Sequence, residues 1–277
     1  MIEFKTKKEL GSGLASTAYL LDDNYIQLVG KSEKTFETYK EIKSNADLLT
    51  GKITCVDYPQ NMLLIEPNSD YPNGSLIYPI VKGNSLDAEN ATQEELDAIA
   101  KKLVEFNEQL HKLNIHWDRE KSIKHELEKV DRNIEILKNY MTNNEISLLK
   151  KYEENFSECL NNKKSFCITH GDLWADNLIV DRENNLTGII DFGNMAYLLP
   201  EVDYASLWNM RDGFLEKMLK YSKEDITLDS VKLFIMHREL CSFEYILSAA
   251  PEDVPSQLEK IRDGLRLINF QCNEIKK

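Results

Sequence analysis

A chain of 277 residues, 42% hydrophobic and 29% charged, is long enough for one large domain or two unequal lobes with a real core. Its net charge of −13 argues against non-specific nucleic-acid binding and mildly favours a cationic partner. No apolar run approaches the roughly 20 residues of a membrane span, the opening MIEFKTKKEL has no apolar signal core, and the five scattered cysteines (Cys55, Cys159, Cys167, Cys241, Cys272) form no C-x-x-C pair, as expected of reduced thiols in a cytoplasmic protein.

The first eighty residues predict strands. KTKKELGSG leads into TAYLLDD and then NYIQLVGK, with Asp22, Asp23 and Asn24 as the turn between the last two. The polar segment SEKTFETYKEIKSNADLL predicts a helix that stops at Gly51. KITCVDY, NMLLIEP and GSLIYPIV follow as further strands between Pro- and Asn-rich turns. The composition changes at VKGNSLD, which sets the expected lobes at 1–82 and 83–277.

Beyond that point helices dominate. Thr92 and Glu95 form a capping box, and Leu96, Ile99, Leu103, Phe106, Leu110 and Leu113 recur at steps of three and four. Leu127, Val130, Ile134 and Leu137 mark the face of a second helix. SFCITH, NLIVD and LTGIIDF predict short strands, the last two joined by RENN, and the chain after Tyr204 reads as helices again. The expected class is α+β in two lobes: a strand-rich N-terminal lobe and a mainly helical C-terminal lobe.

ITHGDLWADNLIVD, residues 168–181, sets a His, three acids and an Asn among residues suited to buried strands. Asp172 and Asn177 stand five apart, as in H-R-D-x-x-x-x-N catalytic loops. A carboxylate there can take or orient the proton of an attacking hydroxyl, and an Asn amide oxygen is a neutral ligand for Mg²⁺. Fourteen residues on, IIDFGN ends a predicted strand at Asp191, and a tight hairpin would return Asp191 beside Asn177 to share the metal. His170 is expected to brace this loop, and Asp176 to face solvent or substrate.

A phosphate-handling site also needs a cover and a cation. GSGLASTAY lies between two predicted strands, and Gly11, Ser12, Gly13 and Ser16 could bring backbone N–H groups to phosphate oxygens; a plain Gly-Ser hairpin turn is the competing reading. No G-x-x-x-x-G-K-[ST] motif is present, which excludes a Walker-type loop. Lys31 is the candidate cation, Lys34 the alternative and Glu41 the helix partner; surface charge is the competing reading for all three. Tyr78 to Val81, with Tyr78 and Ile80 foremost, would form a hinge whose backbone groups bond a purine edge.

HGDLWADNLIVD, LTGIIDFGNMAYLLPEVDYASLW and the glycine loop resemble the aminoglycoside phosphotransferases, within the protein-kinase-like fold. ASTAYLLDDNYIQLVGK followed by YKEI is most similar to the branch that phosphorylates a 2″-hydroxyl. The resemblance implies a bilobal kinase-like fold, ATP or GTP as phosphate donor, Mg²⁺ on Asn177 and Asp191, Asp172 as base, Lys31 on the phosphates and Asp203 as a structural acid. It also implies a cationic small-molecule alcohol as partner; from charge and hydropathy no nucleic acid or membrane is expected, and the chain is expected to be a monomer or dimer. One departure stands out: NMRDGF, with Arg211, follows the DYASLW segment where that branch places acids. Glu239 and Glu244 are the remaining candidate acids for the substrate, with an exposed helix face as the equal alternative. Only six residues separate Gly193 from Pro200, too few for a peptide-binding activation segment. A small acceptor follows, an aminoglycoside first and choline, homoserine or a sugar second; a nucleotide-binding pseudokinase is the reading from another class.

Overall fold

The computed structural model describes residues 4–13, 15–115, 117–211 and 213–269; Cys272 lies outside them. The chain divides into two compact units, one of residues 1–109 and 174–195, the other of residues 110–173 and 196–277.

The first unit is built on strands. β1 (Lys7–Ser12), β2 (Ser16–Leu21), β3 (Tyr25–Gly30), β4 (Leu63–Ile65) and β5 (Ser75–Pro79) form an antiparallel sheet in the order β1-β2-β3-β5-β4. α1 (Glu33–Leu49) starts at Ser32, whose side chain makes a capping box with Thr35, and ends before Gly51 at φ 72°. It lays Tyr39 and Ala46 on Leu76 and Met62 of the sheet side, with Leu28, Ile42, Leu64 and Tyr78 packed around them. The expected KITCVDY strand does not form. Pro59 follows it closely, and the segment contributes only one parallel bridge, Asp57 to Gly188.

α2 (Gln93–His111) begins with the Thr92–Glu95 box, the Thr92 N–H donating to Glu95 Oε2 at 2.6 Å. Leu96, Ile99, Leu103, Phe106 and Leu110 are all buried; Leu113 falls beyond the helix. A second, three-stranded sheet completes this unit, with β6 (Asn84–Ser85) on β8 (Leu178–Val180) and β8 on β9 (Leu186–Ile189). Asp181 opens the turn between the last two, its carboxylate accepting the N–H groups of Glu183 and Asn185.

The second unit is mainly helical. α3 (Arg119–Leu137) packs on α4 (Asn143–Asn162), a helix the periodicity did not single out, and α7 (Leu228–Cys241) packs on α9 (Val254–Asn269). α5 (Glu201–Ala205), α6 (Phe214–Tyr221) and α8 (Phe243–Ala249) are short. β7 (Cys167–Thr169) pairs with β10 (Ala196–Leu198), a strand absent from the sequence expectation.

Phe192 shows how packing fixes the turn after Asp191 in the first unit. Its ring is fully buried, 5.8 Å from the Tyr58 ring and 6.5 Å from that of Phe106, both edge-on, and its carbonyl accepts from Asn45 Nδ2 at 2.9 Å. Phe192→Ala should destabilise the protein by about 3–5 kcal/mol in urea denaturation; a loss under about 1 kcal/mol would show that the ring supports little.

Candidate active site

In the first unit, residues 175–177 form a short 3₁₀ turn that runs straight into β8. Leu178 pairs with Ile189 across the β8–β9 hairpin, so Asn177 and Asp191 emerge at the same end of it. The Ile190 N–H donates to the Asn177 carbonyl at 3.0 Å and locks that register. Asn177 is buried, whereas Asp191 is exposed and takes the left-handed conformation (φ 65°), with its carboxylate accepting the Gly193 N–H. Asp is among the few residues other than Gly that tolerate this geometry.

These are hard oxygen donors. Mg²⁺ commonly takes only one or two protein carboxylates and completes its shell with water and phosphate oxygens. Asn177 and Asp191 fit such an ion as donors; among the described residues no cluster of three or more His, Cys, Asp or Glu is suited to a metal.

The glycine hairpin belongs to the same unit. Gly11 pairs with Ala18 and Ser12 with Thr17, and the Gly13 N–H donates to the Ser16 carbonyl at 2.9 Å. A Cβ on Gly11 would meet nothing within 4 Å, so the fold itself does not demand glycine there. Leu14, at the tip, is outside the described residues. Ser16 Oγ is 2.7 Å from the Tyr39 hydroxyl of α1.

Lys31 lies one residue past β3 and donates from Nζ to the Gly13 carbonyl. The expected partner Glu41 is exposed on α1, and Lys34 is exposed near its start. The face of β3 turned to α1 carries Leu28 instead, packed against the Tyr39–Leu76 cluster. Lys31 is thus held by the hairpin, and no Lys31–Glu41 ion pair forms. The reason is the one-residue offset: a side chain beyond the strand end is free of the strand's alternation.

The hinge stretch is partly committed. Burial pushes the Tyr78 hydroxyl up, with the Asp191 charge adding to the effect. The Ile80 N–H donates to the Asn24 carbonyl at 2.9 Å, so this hinge N–H already has a backbone acceptor. Asp176 is exposed as expected, while its carbonyl accepts from Ser85 Oγ at 2.9 Å.

The second unit holds Asp172, and a buried carboxylate sets its backbone. Asp203 has no exposed surface and accepts the N–H of His170 at 3.0 Å and of Gly171 at 2.8 Å. His111 Nε2 lies 2.9 Å from Asp203, and its Nδ1 is 2.8 Å from Glu224. His170, also fully buried, accepts the Asp172 N–H at Nδ1 (3.3 Å), the bracing expected of it. Gly171 at φ 82° makes the turn that only glycine adopts cheaply.

The two acids expected to meet the substrate, Glu239 and Glu244, already have partners. Glu239 is buried, accepting from Gln257 Nε2 at 3.1 Å and facing Arg238 at 3.5 Å. Glu244 meets Arg132 at 3.0 Å. Arg238 also reaches to 4.0 Å from Asp172 Oδ1. His111, Glu224 and Arg238 carried no local sequence signal, because their partners are far away in the chain: His111 pairs with Asp203 and Glu224, 92 and 113 positions on, and Arg238 reaches back to Asp172.

Burial alone would lower the His111 value, but hydrogen bonds to Asp203 and Glu224 outweigh it and lift it to about 9. A folded value above the unfolded one, ~6.5, stabilises fully below the unfolded value and is lost as pH rises through about 9. In urea denaturation from pH 6 to 10, the stability advantage of wild type over His111→Gln should therefore shrink across this window. His237, lifted to about 10, is present in both proteins and cancels. An advantage that does not vary with pH would remove His111 as the titrating group.

The model of the phosphotransferase enzyme family matches residues 7–233. Among solved structures the chain is similar to the GDP complex of aminoglycoside 2'-phosphotransferase-IIIa (22% identity, covering 96% of this chain and 94% of that one, TM-score 0.78). It is similar also to the gentamicin complex of APH(2")-IIa (19%, 96% and 94%, TM-score 0.77) and to the GDP and kanamycin complex of APH(2")-IIia (22%, 95% and 94%, TM-score 0.75). With the family model spanning most of its length and a kinase-like fold throughout, the chain belongs to the phosphotransferase enzyme family.

Proposed function

We propose that this protein is a Mg²⁺-dependent kinase that moves the γ-phosphoryl group of ATP or GTP to the hydroxyl of a small molecule. The observation that carries the reading is the β8–β9 hairpin, which sets Asn177 and the left-handed Asp191 at one end, five and nineteen residues after Asp172. Asp172 accepts the hydroxyl proton; the turn His170–Gly171, fixed through Asp203, holds its backbone in place. Asn177 and Asp191 would hold magnesium, which neutralises charge on the phosphoryl oxygens when bound. The glycine hairpin, with Lys31 tied to it, is assigned to the phosphates, and Tyr78 with the Ile80 carbonyl to the base. Residues 1–82 act as the nucleotide lobe and 83–277 as the catalytic and substrate lobe. The protein is taken to work in the cytoplasm, as a monomer or dimer.

Aminoglycosides are one acceptor class, supported by the resemblance and by the gentamicin and kanamycin in similar structures. A metabolic alcohol is the second, favoured by Arg238 beside Asp172 and by the engaged Glu239 and Glu244. A pseudokinase has no chemical use for Asp172, Asn177 and Asp191 together.

A coupled assay of ADP and GDP release against aminoglycosides, choline and hydroxy acids tests the reading. Asp172→Asn should lower kcat by about 10²–10⁴-fold while nucleotide affinity with Mg²⁺ is retained; normal turnover would remove Asp172 from the mechanism. Lys31→Ala should weaken nucleotide binding about tenfold. Unchanged affinity would move that role to Lys34 or elsewhere.

A further inference from the structure

We infer that the acceptor carries an anionic oxyacid group, a carboxylate or phosphate, next to the hydroxyl it presents, and that Arg238 binds this group. The inference rests on the kinase reading and names its substrate class.

The first ground is the position of Arg238. One guanidinium nitrogen is 4.0 Å from Asp172 Oδ1 and another is 3.5 Å from Glu239 Oε1. Both exceed the 2.7–2.9 Å of a charge-assisted hydrogen bond, so the fork keeps donor capacity beside the base. The Arg238 side chain is 31% exposed and that of Asp172 is 23% exposed, so a solute can reach both. The base of the side chain is well supported. Val231, Phe234, Ile235 and Leu240 bury α7, Ser242 Oγ donates to the Arg238 carbonyl at 2.7 Å, and Gln257 ties down Glu239.

The second ground is the state of the acids. Residues 228–249 contain three, and each faces a cation of this unit: Asp229 faces Lys232, Glu239 faces Arg238 and Glu244 faces Arg132. A polycationic acceptor at Asp172 would set an ammonium against the guanidinium. An oxyanion on the carbon next to the hydroxyl would gain a forked contact from Arg238, whose planar donors match carboxylate and phosphate. The hydroxyl would then lie at Asp172.

The transfer balances in the ordinary way. The hydroxyl oxygen bonds to the γ-phosphorus while the bond to the β–γ bridging oxygen breaks. The nucleoside diphosphate leaves with that electron pair, and the hydroxyl proton passes to Asp172. Arg238 holds the acceptor and exchanges no proton.

The test measures binding and turnover of D-glycerate, glycerol 3-phosphate, glycerol and kanamycin by the full chain with Mg²⁺ and nucleotide. Calorimetry uses a non-hydrolysable ATP analogue, and turnover uses nucleoside diphosphate release. Wild type should favour at least one anionic alcohol over both glycerol and kanamycin by tenfold or more in kcat/KM; glycerate or glycerol 3-phosphate then identifies the oxyacid. Arg238→Ala should lower the anionic-to-neutral ratio at least tenfold, mainly through KM, with Arg238→Lys intermediate and Arg238→Glu shifting preference toward kanamycin.

Preference of wild type for kanamycin or glycerol overturns the inference and leaves the kinase reading intact. So does failure of the nucleotide-loaded protein to bind either anionic alcohol. An equal fall in kcat for all acceptors in Arg238→Ala also overturns it, since that marks a residue that positions Asp172. Absence of nucleotide binding with Mg²⁺ overturns the kinase reading and the inference together. The wild-type measurements decide even if a variant fails to fold.

Discussion

A carboxylate with no exposed surface, Asp203, is the constraint on which the backbone of residues 170–172 depends. Taking such a charge out of water is costly unless donors surround it, and here they are the N–H groups of His170 and Gly171 and the imidazole of His111. The arrangement works in both directions. The donors make the buried charge tolerable, and the charge leaves the backbone of residues 170–171 one conformation. Asp172 inherits its direction from that turn and from the contact of its own N–H with His170. Glu224 completes the network on the far nitrogen of His111 and also accepts from the Tyr204 hydroxyl at 3.0 Å.

The first unit solves its own problem by packing instead of charge. The pairing of Leu178 with Ile189 brings Asn177 and Asp191 to one end of a short hairpin. Phe192, buried against Tyr58 and Phe106 and held at its carbonyl by Asn45, anchors the chain directly after the left-handed Asp191. The same unit departs from an ion-paired strand and helix. Leu28 packs where a cation would face α1, and a Tyr39–Ser16 hydrogen bond ties helix to hairpin.

On the helices of the second unit the distribution of charge matters more than its sum. The net charge of −13 suggests appetite for a cation, but the acids of α7 and α8 already face Lys232, Arg238 and Arg132. What reaches toward Asp172 there is a guanidinium. Global charge governs long-range attraction, while the contact partners of single residues govern recognition.

Sequence by itself determined the strand-rich start, the helical remainder, the end of α1 at Gly51, the capped start of α2, and the joint spacing of Asp172, Asn177 and Asp191. These are legible because period, caps and turn chemistry act over a few residues, and because the hairpin between β8 and β9 is short. Tertiary structure alone decided that KITCVDY is not a strand, that Ala196–Leu198 is one, that Lys31 turns to Gly13 and not to Glu41, and that the Ile80 N–H is taken by Asn24. It also decided which charges meet: His111 with Asp203, Arg132 with Glu244, and Arg238 with Asp172. Such pairs join residues tens of positions apart, and nothing in a local window records which of many possible partners folding will select.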